Sequence, residues 1–286
     1  MSATVPAVNT AEHLPVSIEI SATKVLKGDL DHAPLAAESR VYIPDLGSET
    51  LATRVAAARH IRALGLRAVP HLAARRLPST GGLTAFLDSF TQEAGVRDLL
   101  LIAGSPATAT GPFGSSMQVL ATGALQTAGI TNVGVAGHPE GSPDFDTQTA
   151  ERVLLEKLDY LAGHGLTARI VTQFGFDPVA YIDWAHRLRA RGILAPVHVG
   201  LAGPAKLTTL IKYGVACGVG NSLQFLKTRT SNLRMLASGF DPGDIVDAIQ
   251  SANLPAIAGL HFYPFGGTSQ TLDWLEARGL TLEAKQ

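Results

Sequence analysis

A chain of 286 residues, 46% apolar and only 16% charged, has material for one large core, and about 250 residues is the usual size of a single α/β barrel. The formal net charge is −1 with Lys and Arg scattered, which excludes the basic stripe of a nucleic-acid binder, and no apolar run reaches the roughly 20 residues that span a bilayer. The one cysteine, Cys217, cannot form an internal disulfide; this fits a reducing, cytoplasmic setting, and its apolar flanks favour a small core residue over a nucleophile.

The first twelve residues, MSATVPAVNTAE, lack the basic start and apolar run of a signal peptide. A loose tail is expected over 1–14, ahead of one catalytic domain over 15–286. β-rich runs then alternate with helical stretches: VSIEI at 16–20, RVYIPDLG at 40–47, LRAVPHL at 66–72 and DLLLIAGS at 98–105. NVGVAGHPE at 132–140, ARIVTQFGFD at 168–177, APVHVGLAG at 195–203 and GLHFYPFGG at 259–267 complete the set. Near-continuous apolar character is what strands need when helices cover an all-parallel sheet. Eight such runs point to a single (βα)8, or TIM, barrel, with an open doubly wound sheet as the alternative because alternation does not reveal closure. Apolar residues three and four apart predict outer helices over 49–65 and 146–165. Asp177-Pro178 and Asp241-Pro242 each place an N-cap before a proline at the first helical position.

Polar residues gather where these runs end: Glu19, Asp45, His71, Ser105, His138 with Glu140, Gln173 and Tyr263. In a barrel those ends converge on one mouth, the usual place for an active site. Glu19, between isoleucines, is either paired with a cation or kept as an acid with a raised pKa. His71 could bond a ligand's phosphate or ring edge, and the glycine- and proline-rich turn around His138 would let backbone amides approach one. The Gln173 amide donates and accepts at once, which suits a heterocycle. His198 and His261 lie within strands without metal-ligand spacing, so interior roles and no metal are expected. The segment 103–116 lacks the lysine of a P-loop and the full GxGxxG of a dinucleotide turn, and Lys157 reads first as a solvated charge. The reaction type does not follow from these residues alone.

From about Val16 to Tyr263 the same segments resemble the methylenetetrahydrofolate reductase family. PHL at 70–72 looks like that family's PHLT strand end, GVAGHPEGSP at 134–143 like its VAGYPEGHP turn, VTQFGFD at 171–177 like its ITQFFFD strand and GLHFY at 259–263 like its FHFYTLN strand. The resemblance implies a reductase that interconverts 5,10-methylene- and 5-methyltetrahydrofolate, with FAD as cofactor and NADH or NADPH as electron partner, and a homo-oligomer is expected. It implies that Glu19 is the acid that helps to open the folate ring, its pKa near the working pH. Gln173, Ser105, Leu207 and Tyr263 would meet the substrate beside Glu19. Asp45, Leu46, His71, Ala103, Gly104, Ser105, Ser115, His138 and Ser142 would line the flavin, with Glu151 on its ribose and Lys157 on its phosphate.

The chain departs from the family pattern in several places. Ala103-Gly104-Ser105 replaces an RGD turn and so loses a carboxylate, His138 replaces an aromatic, Ser142 replaces a histidine, Leu158 stands at a basic position, and Gly266 and Gly267 replace an asparagine and an arginine. Flavin-free hydride transfer from NADH, a pterin-binding barrel methyltransferase and a folate-binding protein without turnover are therefore the alternatives.

Overall fold

The structure, a computed structural model, describes residues 13–141, 145–217, 219 and 239–280. Eight parallel strands pair in chain order: β1 (Val16–Glu19), β2 (Arg40–Ile43), β3 (Arg67–Ala73), β4 (Asp98–Ile102), β5 (Asn132–Gly137), β6 (Thr167–Gly175), β7 (Val197–Ala202) and β8 (Ile257–Tyr263). β8 pairs back onto β1 through Ser17 opposite His261 and Ile18 opposite Phe262, closing the barrel. The open-sheet alternative is thereby set aside; the chain is a single (βα)8 barrel.

Several apolar runs overshoot the strands, for β2 stops at Ile43 and β4 at Ile102, so Asp45 and Ser105 sit in loops at the mouth. Around the barrel lie α1 (Ala22–Val25), α2 (Leu51–Ala63), α3 (Thr80–Asp88), α4 (Ser116–Leu120), α5 (Ala124–Thr127) and α6 (Thr147–Gly163). α7 (Pro178–Ala190), α8 (Leu207–Ala216), α9 (Gly243–Ala252) and α10 (Thr268–Ala277) follow. Side-chain caps mark the starts of the two expected helices: Thr50 accepts from Thr53 N on α2, and Asp146 from Thr149 N on α6. Asp177 caps α7 with Pro178 first in the helix, as expected. The second Asp-Pro pair behaves differently. Asp241 Oδ1 accepts from Gly243 N and Trp274 Nε1, which makes Pro242 the cap residue and starts α9 one position later. Among the described residues no helix is long and apolar enough to cross a membrane.

Strand alternation divides the side chains. Val16, Ile18, Leu260 and Phe262 join the large apolar core between sheet and helices, whereas Ser17, Glu19, His261 and Tyr263 alternate with them onto the barrel interior. That interior holds a small apolar cluster of Tyr42, Val69, Leu100 and Val171, and is otherwise rich in buried polar groups. β6 carries one residue more than β7 between Val171 and Phe174, a bulge that strengthens the local twist. Gly200 faces it across the ladder; a side chain there would meet the Thr172 carbonyl at 2.3 Å, so only glycine lets the backbones approach this closely.

Candidate functional site at the barrel mouth

β1 ends with Glu19 directed inward, and closure brings it two imidazoles from distant parts of the chain. His71 of β3 places Nε2 3.2 Å from Oε2, and His261 of β8 places Nε2 3.9 Å from the same oxygen. Neither Nε2 has a well-aligned hydrogen-bond partner, although both are buried. Ser17 Oγ donates to the Leu260 carbonyl, so it accepts from Nδ1 of His261 at 3.0 Å. A neutral His261 then turns a lone pair toward the carboxylate, an arrangement that is favourable only with a proton shared among Glu19 and the two rings.

Burial alone would raise the Glu19 pKa, but the facing His71, and behind it His261, hold it down at about 2. The pKa near neutrality expected from the sequence is not what this geometry gives: the facing imidazoles outweigh the burial and hold the Glu19 carboxyl well below the ordinary carboxylate range. His261 is also pushed down, burial depressing it more than Glu19 lifts it. The Glu19 side chain is still 18% exposed, enough for a ligand to touch it.

The second half of the mouth lies across the barrel. His138, Pro139, Glu140, Gly141, Gln173 and Cys217 line a cleft floored by Phe174 and Tyr181. The turn forms as expected, with Gly141 N donating to the His138 carbonyl, and the His138 ring packs edge-on against Phe145. Gln173 Oε1 accepts from Phe174 N, which leaves the amide nitrogen free to donate. Tyr263 donates its hydroxyl to the Thr172 carbonyl, fixing the ring beside His261. Burial and then the Glu19 charge push up both the Cys217 thiol and the Tyr263 hydroxyl, so these groups share one electrostatic space with the carboxylate. Cys217 both packs against the core and lines the cleft, a wider role than the core position expected for it.

Other expected site residues fall elsewhere. Glu151 is buried on α6 and engaged by Arg187 and Arg191, the latter from the end of α7, so its carboxylate serves helix packing. Lys157 lies three turns into α6, roughly 15 Å along the axis from its start. Burial holds its amine down at about 8, with no anion in contact among the described residues. Ser115 is the N-cap of α4 in a capping box with Gln118. Leu207 begins α8, partly buried against the core, and Leu46 is exposed in the β2–α2 loop. Ala103 and Gly104 border the mouth after β4; Ala103 accepts from Arg75 N, and Gly104 adopts φ +93°, which brings it against Ala73. Ser142 lies outside the described residues.

Sequence reasoning missed the arginines. Arg54, almost fully buried, contacts Asp45 at 3.3 Å and donates to the His71 carbonyl at 2.5 Å. Its position on the buried face of α2 with Leu51, Val55 and Ala58 was the available signal. At the other end of the barrel interior, Asp98 takes Arg40 at 3.0 Å and Arg169 at 2.6 Å, and Arg169 donates to the Tyr42 hydroxyl at 2.8 Å.

No family model matches the chain. A stretch of 97 residues, 34% of the chain, is 34% identical to methylenetetrahydrofolate reductase 1 of Schizosaccharomyces pombe, and it spans only 15% of that protein. Among solved structures, a Clostridium thermocellum protein that binds two copies of 5-methyl-5,6,7,8-tetrahydrofolic acid superposes with a TM-score of 0.60, covering 96% of this chain and 98% of its own. At 11% identity that likeness shows a shared barrel fold.

Proposed function

We propose that this chain is a folate-binding barrel enzyme that interconverts 5,10-methylene- and 5-methyltetrahydrofolate, with NADH or NADPH as electron partner. The observation that carries this reading is the interior carboxylate of Glu19, faced by His71 and His261 and reachable from the mouth. The local likeness to a methylenetetrahydrofolate reductase and the shared fold with a methyltetrahydrofolate-binding protein both support it.

The chemistry assigned to this chain is proton handling and orientation. Opening the five-membered ring of methylenetetrahydrofolate needs a proton on the departing nitrogen, which leaves an electrophilic carbon for hydride. A proton shared between Glu19 and the imidazoles that face it would pass through Glu19 to the departing nitrogen, and the three groups would take a proton back from solvent after turnover. Gln173, with its donor free, would fix the pterin edge, and a fixed ring is what converts hydride transfer into a near-attack reaction.

FAD, where bound, would supply the hydride-carrying step. Three of the residues that the resemblance assigns to FAD are engaged elsewhere: Glu151 is held by two arginines, Ser115 caps a helix and Asp45 is shared by Arg54 and Arg76. This favours the direct version of the reading, in which the dihydronicotinamide gives hydride to the folate without an intermediary. An absorption spectrum of the purified protein separates the two versions, since a flavin band supports the FAD-dependent one. The function itself is tested anaerobically with NADH or NADPH and methylenetetrahydrofolate, following nucleotide oxidation and methyltetrahydrofolate formation. No turnover with either nucleotide, with or without added FAD, sinks the proposal.

A further inference from the structure

A second cluster of charge stands at the mouth beside the Glu19 pair. Asp45 comes from the loop after β2, Arg54 from α2, Arg76 from the 3-10 turn Ala74–Arg76 that follows β3, and Ser105 from the loop after β4. Two guanidinium groups share the Asp45 carboxylate, and the Glu49 charge also acts on Arg54. Arg54 is tightly used, on Asp45 at 3.3 Å and on the His71 carbonyl. Arg76 is not: its Nε stands 3.8 Å from Asp45, its Nη2 reaches Ser105 Oγ at 3.3 Å, and its side chain is 29% exposed. The Nε atoms of both arginines are buried without a well-aligned acceptor, so any anion would meet the guanidinium at its exposed Nη side.

The surroundings of Arg76 are built from backbone. Gly47 has φ +73°, and a side chain there would strike Arg76 Nη1 at 2.1 Å, so the absence of a side chain lets the loop lie flat against the guanidinium and keeps the arginine partly exposed. The loop after β8, on the far side of Glu19, offers nothing comparable. It reads Pro264–Gly267 without a cation of its own, and a side chain at Gly266 would meet the Pro204 carbonyl at 2.0 Å. Through Arg54 the cluster is tied to His71, hence to the wall that carries the proton-handling groups.

We propose that Arg76, backed by Arg54 and bracketed by Asp45 and Ser105, anchors a carboxylate or phosphate of the molecule whose reactive part lies over Glu19. Under the function proposed above, this anion is either the glutamyl carboxylate of the folate or a phosphate of the nicotinamide dinucleotide. A planar guanidinium fork matches either group with two parallel hydrogen bonds, which a lysine cannot reproduce.

The test compares wild type with Arg76→Gln and Arg76→Lys, each first checked for folding by circular dichroism and thermal unfolding. In steady-state assays, Arg76→Gln should raise KM about tenfold for one of the two partners while kcat changes less than twofold, and Arg76→Lys should fall between. A rise for the folate alone, absent with a reduced pterin that lacks the glutamyl tail, assigns the carboxylate. A rise for the dinucleotide alone, absent with reduced nicotinamide mononucleoside, assigns the phosphate. Unchanged KM values for both partners overturn the assignment. Should the chain prove to have no reductase activity, the site is still read directly by titrating wild type and variants with glutarate and with inorganic pyrophosphate, by calorimetry. Binding that is lost in Arg76→Gln supports the anchor; binding equal in all three proteins, or absent from wild type, removes it whatever the fate of the reductase reading.

Discussion

The two ends of the barrel interior use the same kinds of residue to opposite effect. At the closed end, Asp98 is bracketed by Arg40 and Arg169 at hydrogen-bonding distance, and Arg169 is tied down again by the Tyr42 hydroxyl. At the mouth, Glu19 faces two imidazoles that stand off at 3.2 and 3.9 Å, both with unsatisfied nitrogens. A buried charge that is fully paired is structural, since moving its proton or its partner costs several kcal/mol. One with loose, titratable partners can change state when a ligand arrives. Completeness of pairing at the carboxylate, rather than residue type, distinguishes the two ends: both Asp98 oxygens are bonded, although Arg169 Nη2 has no partner.

Substitutions can break that contrast. The largest effect is expected from Asp98→Ala, which strands two arginines and should cost ~3–5 kcal/mol in urea unfolding. An unaltered midpoint would show the closed end to be dispensable. Glu19→Gln should lower stability at neutral pH, because the carboxylate contributes to folding there, and reduce folate turnover about 100-fold or more, with folate binding retained. Equal loss of binding and turnover would remove the proton-relay role.

The acid limb of stability sharpens the comparison further. His198 is held at about 3 by burial, so the unfolded chain takes up its proton from about 6.5 downward while the folded chain does not. Stability therefore falls as pH drops through that window. The Glu19 contribution is complete above its ordinary value of 4.5 and is lost only as pH falls toward about 2. Between pH 6.5 and 4.5 the slope reports buried histidine, with His261 adding the same sign. His198→Gln should flatten it in pH-dependent denaturation, and an unchanged slope would contradict the assignment. The smallest effect is for Ser115→Ala, about 1 kcal/mol of stability from the lost cap. A change in cofactor or nucleotide affinity without that loss would return Ser115 to the binding site.

Much of the fold was legible in the sequence because parallel strands buried on both faces must be apolar along their length, and because polar residues at their ends have nowhere to go but the mouth. The position of Glu19, His71 and Gln173 at that mouth follows from the same logic. Their pairing does not. The Glu19 pKa is set by His71 and then by His261, over 240 residues away, which reaches it only because β8 closes onto β1 in a particular register. The partners of Glu151 were hidden for a related reason: Arg187 and Arg191 come from the next helical segment, and spacing within one helix cannot reveal them. Arg54 and Arg76 were overlooked because arginine on a helix or loop is ordinarily solvated.

The extra residue on β6 has a consequence for how this mouth can diversify. It lets the Thr172 hydroxyl take Gly200 N and the Thr172 carbonyl take the Tyr263 hydroxyl, while Gln173 turns its amide to the cleft. Side chains on a strand alternate in direction, so deleting one residue here would swing the amide toward the helices without opening the barrel. A single-codon deletion or insertion could thus swap the chemistry offered to a ligand in one step, making this strand a natural point of evolutionary retooling.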